Sequence, residues 1–420
     1  MSKRVRWYSV VVGIATVAIL VAEARPCKSV FKPKDYASLG VLDLKSGDTV
    51  EFDTGGATNI YTPRCRLDTG GGWGSWIDGT TAVSQSGGVQ VAVFAFSSIN
   101  IPAGVTVSVL RASTPAGDTQ WKRRALVLAS HSSLTLGSTL NATGGNGTYS
   151  AGGSAGGAGG PGAEGGTPGP LVMGLATQQT SNPSLGSAPP DYRAGSGGDN
   201  VDNWIPWPGD GYGGGLATHS QAFIWGGNQT HGAGGGYAGR GGNARVDNGR
   251  IVDCGGYPYG DALLTELYGG SGGTAGGHQY GQSSGGGGGG AVELTAMGTL
   301  QIRGAVTAGG GSTEDNGYRG GSGSGGAILL AAPFVDIAAA TLSVVGGWGG
   351  SGDSGGGGSG GRIAIYANRI NLTGATISTN GGTGGGGARN GAPGTYRYNG
   401  DGGAGDLKFP FQSGTIVMFR

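Results

Sequence analysis

The chain has 420 residues, of which 100 are glycine and 17 are proline, and 12% charged residues give it a formal net charge of only +1. This composition excludes a charge-driven disordered tail, which needs a high net charge, and a nucleic-acid-binding protein, which needs a basic face. Collagen is excluded because the glycines do not recur at every third residue and proline is scarce.

Residues 1–24 have the features of a secretory signal peptide. Three basic residues near the start precede an uninterrupted apolar or small run over residues 10–21, which is short for a membrane span, and Ala22-Glu23-Ala24 fits a cleavage site. We therefore expect an exported protein, secreted and extracellular or on the cell surface, with no membrane span in the mature chain. An uncleaved membrane anchor is the alternative.

The three cysteines are Cys27, Cys65 and Cys254. In an oxidising compartment Cys27 and Cys65 are predicted to form a disulfide near the N-terminus, which leaves Cys254 odd. Incidental buried or free thiols are the alternative. Because the cysteines and histidines lack the spacing of metal ligands, no metal and no other cofactor is expected.

A repeat of about 35 residues runs through residues 91–145 and 291–398. Each unit has an alternating apolar pair, a second pair seven or eight residues later, and a third apolar position 14 residues after the first. The three positions of the four clearest units are Leu126, Leu134 and Leu140; Val292, Leu300 and Val306; Ile328, Val335 and Leu342; and Ile363, Ile370 and Ile377. An earlier copy has Val91, Ile99 and Val105, and a partial copy has its first two pairs at Leu42/Leu44 and Val50/Phe52.

Alternation of apolar and polar residues predicts short strands with one buried face. Such strands cannot bury their inner faces alone, so stacking of successive units as rungs is favoured, with apolar ladders inside. We predict an all-β protein, a short parallel β-helix of about six rungs. Residues 25–90, which include the partial unit, and residues 399–420 are predicted to cap its two ends.

Glycine-rich loops connect the third strand of one unit to the first strand of the next. Because the offsets within the units are constant, these loops leave from the same corner of the column. Two interpretations remain: flexible chain, or extended polyglycine II with three residues per turn, packed side by side where only glycine fits. Residues 146–290 are predicted to be one greatly enlarged loop of this kind.

Most of the unusual aromatic residues lie in these loops. Trp204, Trp207, Trp225 and Trp348 are the candidate binding residues, because aromatic side chains on a polar surface stack on sugar rings or on partner proteins. The alternative is that the aromatic residues of the enlarged loop, including its tyrosines, fill a small satellite core.

Catalytic carboxylates are the signature of the enzymes that parallel β-helices often host. Glu293 and Asp336 occupy different positions in their units, so they are not expected to stack. Asp261 and Glu266 form the best carboxylate pair, although Asp261 is more typical of a turn cap. The G-x-S-x-G string at residues 321–325 lies in a Gly/Ser loop and is taken as coincidental. We expect no catalytic residues.

Three strings, at residues 96–107, 287–294 and 325–333, resemble glycine-rich secreted bacterial proteins with a passenger-like parallel β-helix, many of them uncharacterised. The stretch that leads from Tyr259 to Gly273 is also similar to that family. The resemblance covers roughly residues 40–400 and implies the fold more than a function. On composition alone there is a more distant similarity to polyglycine-sandwich tips of phage adhesins and to glycine-rich ice-binding proteins.

These features favour a non-enzymatic extracellular structural or adhesive protein, in which a β-helical scaffold displays glycine-rich loops. The expected partners are an extracellular polysaccharide, a cell-surface or matrix protein, or further copies of the chain. One alternative is a carbohydrate-active β-helix enzyme, a polysaccharide lyase or hydrolase that uses Asp261 and Glu266. A second alternative is an ice-binding polyglycine surface.

Overall fold

The protein is all-β, as predicted from its sequence. The computed structural model describes residues 31–55, 62–83, 90–110, 124–147, 149–150, 213–214, 217–220, 229–245, 251, 253–278, 281–313, 320–350 and 355–399. Within these residues there are β-strands and one short 3-10 turn at Pro33–Asp35, and no helix is long and apolar enough to cross a membrane. The predicted signal peptide lies outside the described residues, as does the predicted C-terminal cap apart from Asn399.

The strands are short, and most of them fall in the repeat units. The first group is β1 (Val41–Asp43), β2 (Thr49–Asp53), β3 (Arg64–Asp68), β4 (Ile77–Asp78), β5 (Thr80–Val83), β6 (Gln90–Phe96), β7 (Ser98–Ile101) and β8 (Thr106–Leu110). The next group is β9 (Ala125–Ser130), β10 (Leu134–Leu136), β11 (Leu140–Asn141), β12 (Tyr149–Ser150), β13 (Ala217–Ser220), β14 (Gln229–Gly232), β15 (Gly276–His278) and β16 (Gly281–Ser283). The last group is β17 (Ala291–Ala296), β18 (Thr299–Ile302), β19 (Ala305–Thr307), β20 (Ala327–Ala331), β21 (Phe334–Asp336), β22 (Thr341–Ser343), β23 (Arg362–Tyr366), β24 (Arg369–Asn371), β25 (Thr376–Ser378) and β26 (Thr395–Asn399).

Three sheets join equivalent strands of successive units. The first sheet has the order β26-β23-β20-β17-β9-β6-β5 and is parallel except for the edge strand β5. The second has the order β1-β7-β10-β18-β21-β24, and the third has the order β11-β19-β22-β25. All of their pairings are parallel, so the prediction that the units pair in parallel is confirmed.

The pairing register places equivalent apolar residues next to each other. In the second sheet Leu300 pairs with Leu134 on one side and with Val335 on the other, and in the third sheet Val306 lies between Leu140 and Leu342. The inward-facing residues of all three sheets belong to one buried apolar cluster. The constant 14-residue offset therefore reflects ladders of Leu, Ile and Val in a shared core.

Two of the predicted alignments are wrong. Ala92, not Val91, pairs with Leu126, so Val91 faces the other side of the first sheet. Leu42 pairs with Ile99, which places the partial unit one strand later than predicted. Strand β6 is buried on both faces from Val91 to Phe96, so its alternation does not identify the inward-facing residues.

The outer face of the first sheet is buried under the enlarged loop and under the N-terminal segment that contains Phe31. A second apolar cluster joins small and β-branched residues of this sheet to Tyr237, Leu264 and Leu267 of the loop. Arg362 of β23 lies with its guanidinium 4.5 Å from the ring centre of Tyr237 and donates a hydrogen bond to the carbonyl of Tyr259. The enlarged loop is thus attached to the sheet by packing and by a buried cation.

Two further sheets complete the described strands. An N-terminal sheet has the order β4-β3-β2-β8, in which β2 is antiparallel to β3 and parallel to β8. A small antiparallel sheet in the enlarged loop has the order β12-β16-β15-β14-β13.

The glycine-rich segments between the units are extended and buried, and their backbones bond to neighbouring segments. Residues 321–326 illustrate the pattern, in which successive N–H groups bond to three segments in turn: 268–275, 355–361 and 308–313. The acceptors, in order from Gly321, are the carbonyls of Thr274, Gly356, Gly311, Ser271, Ser359 and Ala308. The set of partners therefore repeats every three residues.

Glycine is required where these segments approach each other. A Cβ atom built on Gly323 would overlap the backbone carbonyl of Gly287, and one built on Gly326 would overlap that of Gly290. Because the obstacle is main chain at both positions, a side chain there cannot be accommodated by a rotamer change of a neighbour. Of the two interpretations, flexible chain is wrong for these described segments.

Replacement of Gly323 by alanine should lower the free energy of unfolding by about 1–3 kcal/mol, as overpacking of a close-packed interior does. Gly71→Ala is the matched control, because nothing lies within 4 Å of a Cβ atom at that exposed position. The control should change stability by less than about 0.5 kcal/mol. Urea unfolding of both variants measures the difference, and equal stabilities would contradict the packing assignment.

Candidate functional site

Trp348 is the one predicted binding residue that lies among the described residues, since Trp204, Trp207 and Trp225 lie outside them. It belongs to the glycine-rich segment 344–350. Its backbone N–H donates to Ser312 Oγ at 3.0 Å, and its carbonyl accepts from the N–H of Thr313 at 3.0 Å. The side chain is 37% exposed although both flanking glycines are in buried or tightly packed chain. A fixed backbone thus presents an exposed indole.

Several tyrosines of the enlarged loop fill a satellite core, as the alternative interpretation predicted. Tyr237 is fully buried, its ring centre lies 4.9 Å from that of Tyr259, and Tyr268 follows at 6.1 Å from Tyr259. Burial raises the pKa of Tyr237, so its phenol stays neutral. Tyr257 differs, because it is exposed and lies 4.6 Å from the guanidinium of Arg240.

Asp261 is a turn cap, as its sequence context indicated. Its Oδ1 accepts a hydrogen bond from the Leu263 N–H at 2.6 Å, and its Oδ2 accepts from Thr265 Oγ1 at 2.5 Å. Both partners belong to the same tight turn, in which Leu264 adopts a positive φ of 51°. Glu266, its proposed catalytic companion, is 8% exposed. Both carboxylate oxygens of Asp261 are thus used to hold this turn, which is a structural role.

Glu293 and Asp336 lie on different sheets and do not stack. Glu293 is buried on the outer face of the first sheet, where its Oε1 accepts from the Phe31 N–H at 3.4 Å. Asp336 lies on the second sheet, pairs with Arg303, and accepts from the side-chain amides of Gln301 at 3.3 Å and Asn371 at 3.0 Å. The hydrogen bond from Arg303 is the main cause that lowers the pKa of Asp336.

The serines of the G-x-S-x-G string are structural. Ser322 and Ser324 are fully buried, Ser322 Oγ donates to the Gly347 carbonyl at 2.6 Å, and Ser324 Oγ donates to the Ser271 carbonyl at 3.3 Å. Each hydroxyl satisfies a backbone acceptor inside the glycine-rich layer. The interpretation of the string as coincidental is therefore supported by burial and by bonding.

The two cysteines in the described part of the chain are buried. Burial raises the pKa of the Cys65 thiol to about 12 and that of the Cys254 thiol to about 11. A neutral, buried thiol is a poor nucleophile. Because Cys27 lies outside the described residues, its disulfide with Cys65 stays a prediction. In the described ranges no group of three His, Cys, Asp or Glu residues is placed to hold a metal ion.

Sequence reasoning missed a stack of tryptophans and arginines on the N-terminal sheet. The guanidinium of Arg64 lies 4.2 Å from the ring centre of Trp76, and that of Arg66 lies 4.5 Å from Trp76 and 4.2 Å from Trp73. The order is Arg64, Trp76, Arg66, Trp73, and we call these four residues the Trp–Arg ladder. Cation–π contacts of this kind contribute about 0.5–1 kcal/mol each at exposed sites.

Cross-strand carboxylates hold the arginines of the ladder. Asp53 and Glu51 of β2 lie opposite Arg64 and Arg66 of β3. The ion pairs measure 3.2 Å for Arg64 with Asp53 and 2.6 Å for Arg66 with Glu51. One pattern in the sequence could have indicated this ladder. Basic and apolar residues alternate from Arg64 to Leu67, and a glycine-rich turn and two tryptophans three residues apart follow.

Comparison of the chain with protein-family models, with curated proteins and with solved structures finds no match. The resemblance to glycine-rich secreted bacterial proteins therefore stays a prediction.

Replacement of Asp336 by asparagine should lower the free energy of unfolding at neutral pH by about 1–2 kcal/mol, because a charge-assisted hydrogen bond is lost. The pKa of Asp336 is lower in the folded than in the unfolded protein. Its carboxylate therefore stabilises the folded wild-type protein fully above about pH 4, and this stabilisation is lost as the pH falls through the folded-state pKa. Urea unfolding across this range should show the two proteins converging at low pH. Asp78→Asn, at an exposed carboxylate, is the control, and a constant difference down to about pH 3 would contradict the assignment.

Proposed function

We propose that the protein is a non-enzymatic extracellular scaffold with a structural or adhesive role. In this proposal a short parallel β-helix of about six rungs carries an edge of polyglycine II segments. That edge presents a small number of exposed side chains to a polysaccharide, to a matrix or cell-surface protein, or to another copy of the chain. Export is part of the proposal and rests on the features of residues 1–24.

The β-helical part of the proposal is supported by the order of the strands. Units that begin near residues 126, 292, 328 and 363 each contribute one strand to each of the three parallel sheets. The inward residues of the three sheets share one buried cluster, as the rungs of a column would.

The polyglycine II part is supported by the three-residue repeat of hydrogen-bond partners in segment 321–326. A helix with three residues per turn points successive N–H groups in three directions, and each direction here finds a different neighbour. Other pairs of segments keep the same interval. The N–H groups of Gly286 and Gly289 donate to the carbonyls of Gly321 and Ser324. In the same way, the N–H groups of Gly358 and Gly361 donate to the carbonyls of Gly347 and Val344.

The ordered glycine-rich edge is the observation that carries the proposed function. A flexible loop loses conformational entropy when it binds, whereas a bonded segment has already lost it. Trp348 is exposed on such a segment, so a ligand gains the contact of an indole without ordering the chain beneath it. Aromatic anchors of this kind dominate the energy of many interfaces.

Alanine at Trp348 should weaken binding by about fivefold to thirtyfold if this indole is an anchor. The exported protein is tested on a glycan array and in a pull-down with cell-surface material. Met297→Ala, which removes an exposed apolar side chain from the turn after β17, is the control and should bind as the wild type does. Unchanged binding after alanine replaces all four of Trp204, Trp207, Trp225 and Trp348 would contradict the assignment. Product release from polysaccharides that Asp261→Ala abolishes without unfolding would favour the enzyme instead.

One observation favours ice binding as a second candidate function. The third sheet carries two rows of small, uncharged side chains beside its inward residues. The rows are Asn141, Thr307, Ser343 and Ser378, and Ala305, Thr341 and Thr376. Strands about 4.8 Å apart repeat these groups at a constant interval, and a regular array of hydroxyl and methyl groups is what contact with an ordered water lattice needs.

Ice binding predicts a measurable thermal hysteresis for the purified protein. Ser343→Lys should abolish most of it, because a long charged side chain in the row prevents flat contact. Thr135→Lys, at an equally half-buried position on the second sheet, should leave it unchanged. A wild-type protein that freezes as the buffer does would remove this candidate.

A further inference from the structure

We propose that Trp73, at the outer end of the Trp–Arg ladder, is a binding site for a polysaccharide of uncharged pyranose sugars. The site lies on the N-terminal sheet, whereas Trp348 lies in the glycine-rich layer, so the proposal goes beyond the function proposed above. It rests on the exposure of Trp73, on the rigidity of its surroundings and on the balance of charge around it.

Trp73 is exposed although its backbone is fixed. The side chain is 43% exposed, and its main chain forms an isolated antiparallel bridge with Asp68. Asp68 Oδ1 accepts hydrogen bonds from the N–H groups of Gly70 at 3.0 Å and Gly72 at 3.1 Å. Both glycines have a positive φ, which shapes the turn that presents the indole.

The indole is also supported from the side of the ladder. Arg66 lies between Trp73 and Trp76, and its guanidinium is held by Glu51, which is 7% exposed. A ligand therefore meets an aromatic ring that packs on an arginine held by a partly buried ion pair. Little side-chain entropy remains to be lost on binding, which favours affinity.

Trp73 contributes little to the core beneath it. Cys65, Leu67 and Ile77 of the N-terminal sheet pack against the main apolar cluster, and Trp73 is not a member of that cluster. The outermost indole thus extends the stack towards solvent, where an aromatic face stacks on a ligand.

The charges around the ladder select against acidic ligands. Arg64 and Arg66 are each paired with a carboxylate, and Asp68 and Asp78 add two more negative charges on the same sheet. Among the described residues Arg124 is a third cation near Asp53, and these three cations against four carboxylates leave an excess of negative charge that disfavours uronates, sulfated sugars and nucleic acids. Carboxylate oxygens accept hydrogen bonds from hydroxyl groups, and the apolar face of a pyranose ring stacks on an indole. The site therefore fits an uncharged polysaccharide.

The test measures the affinity of the full exported chain for mixed-linkage β-glucan, xylan and galactomannan, with polygalacturonate and alginate as acidic probes. Trp73→Ala should weaken binding to at least one uncharged polymer by about tenfold or more. Trp73→Phe should restore most of it, because the phenyl ring keeps a stacking face. Met297→Ala is the matched control for loss of an exposed apolar side chain, and thermal unfolding checks that each variant is folded.

Each other outcome overturns the inference. Binding lost in Trp348→Ala and kept in Trp73→Ala would refute the Trp73 site and leave the proposed function standing. A wild-type protein that binds none of the uncharged polymers would refute the site as well. Preference for polygalacturonate or alginate, sensitive to Trp73→Ala, would refute the argument from charge.

Discussion

The close approach of glycine backbones is the constraint on which the rest of this molecule depends. Buried N–H and carbonyl groups must find partners, and these segments have almost no side chains to provide them. In segment 321–326 every N–H reaches the carbonyl of one of three neighbours. Such contact is possible only where a Cβ atom is absent, as the overlap at Gly323 demonstrates. The described glycine-rich segments are therefore ordered by their packing, although a composition with 100 glycines is by itself typical of disorder.

The parallel sheets set the spacing that the glycine-rich layer needs. The hydrogen-bond ladder of the third sheet continues directly into the glycine segments: Ala308 donates to Ser343 and Val344 to Ser378, and then Gly310 donates to Val345 and Gly346 to Asn380. The apolar ladders of the sheet thus also determine the register of the glycine-rich segments, which have few apolar side chains of their own. Segments of the enlarged loop join the same layer, since Gly235 donates to Ser322 and accepts from Ser359.

Sequence periodicity predicted the strands and their parallel pairing, because a constant offset of apolar residues is a direct consequence of stacking. It failed at β6, which is buried and apolar on both faces, so its alternation does not show which residues face the shared core. The Trp–Arg ladder was also beyond its reach. That ladder depends on the pairing of Glu51 with Arg66 across two antiparallel strands and on a tight turn that returns Trp73 to Asp68. Neither relation leaves a period in the sequence.

A layer made of glycine backbone is rigid, but it carries little chemical information. Its hydrogen-bonding groups are used internally, so the binding proposed for this scaffold has to come from side chains at its surface or from another part of the molecule. Trp348 and the pair of Tyr257 with Arg240 are side chains at the surface of the layer, and the Trp–Arg ladder lies in another part of the molecule. The ladder obtains its rigidity differently, from ion pairs and stacking rather than from backbone bonds. Two unrelated devices thus present exposed aromatic residues, one on a backbone held by hydrogen bonds and the other in a stack held by ion pairs, and a binding site built in either way has less entropy to lose.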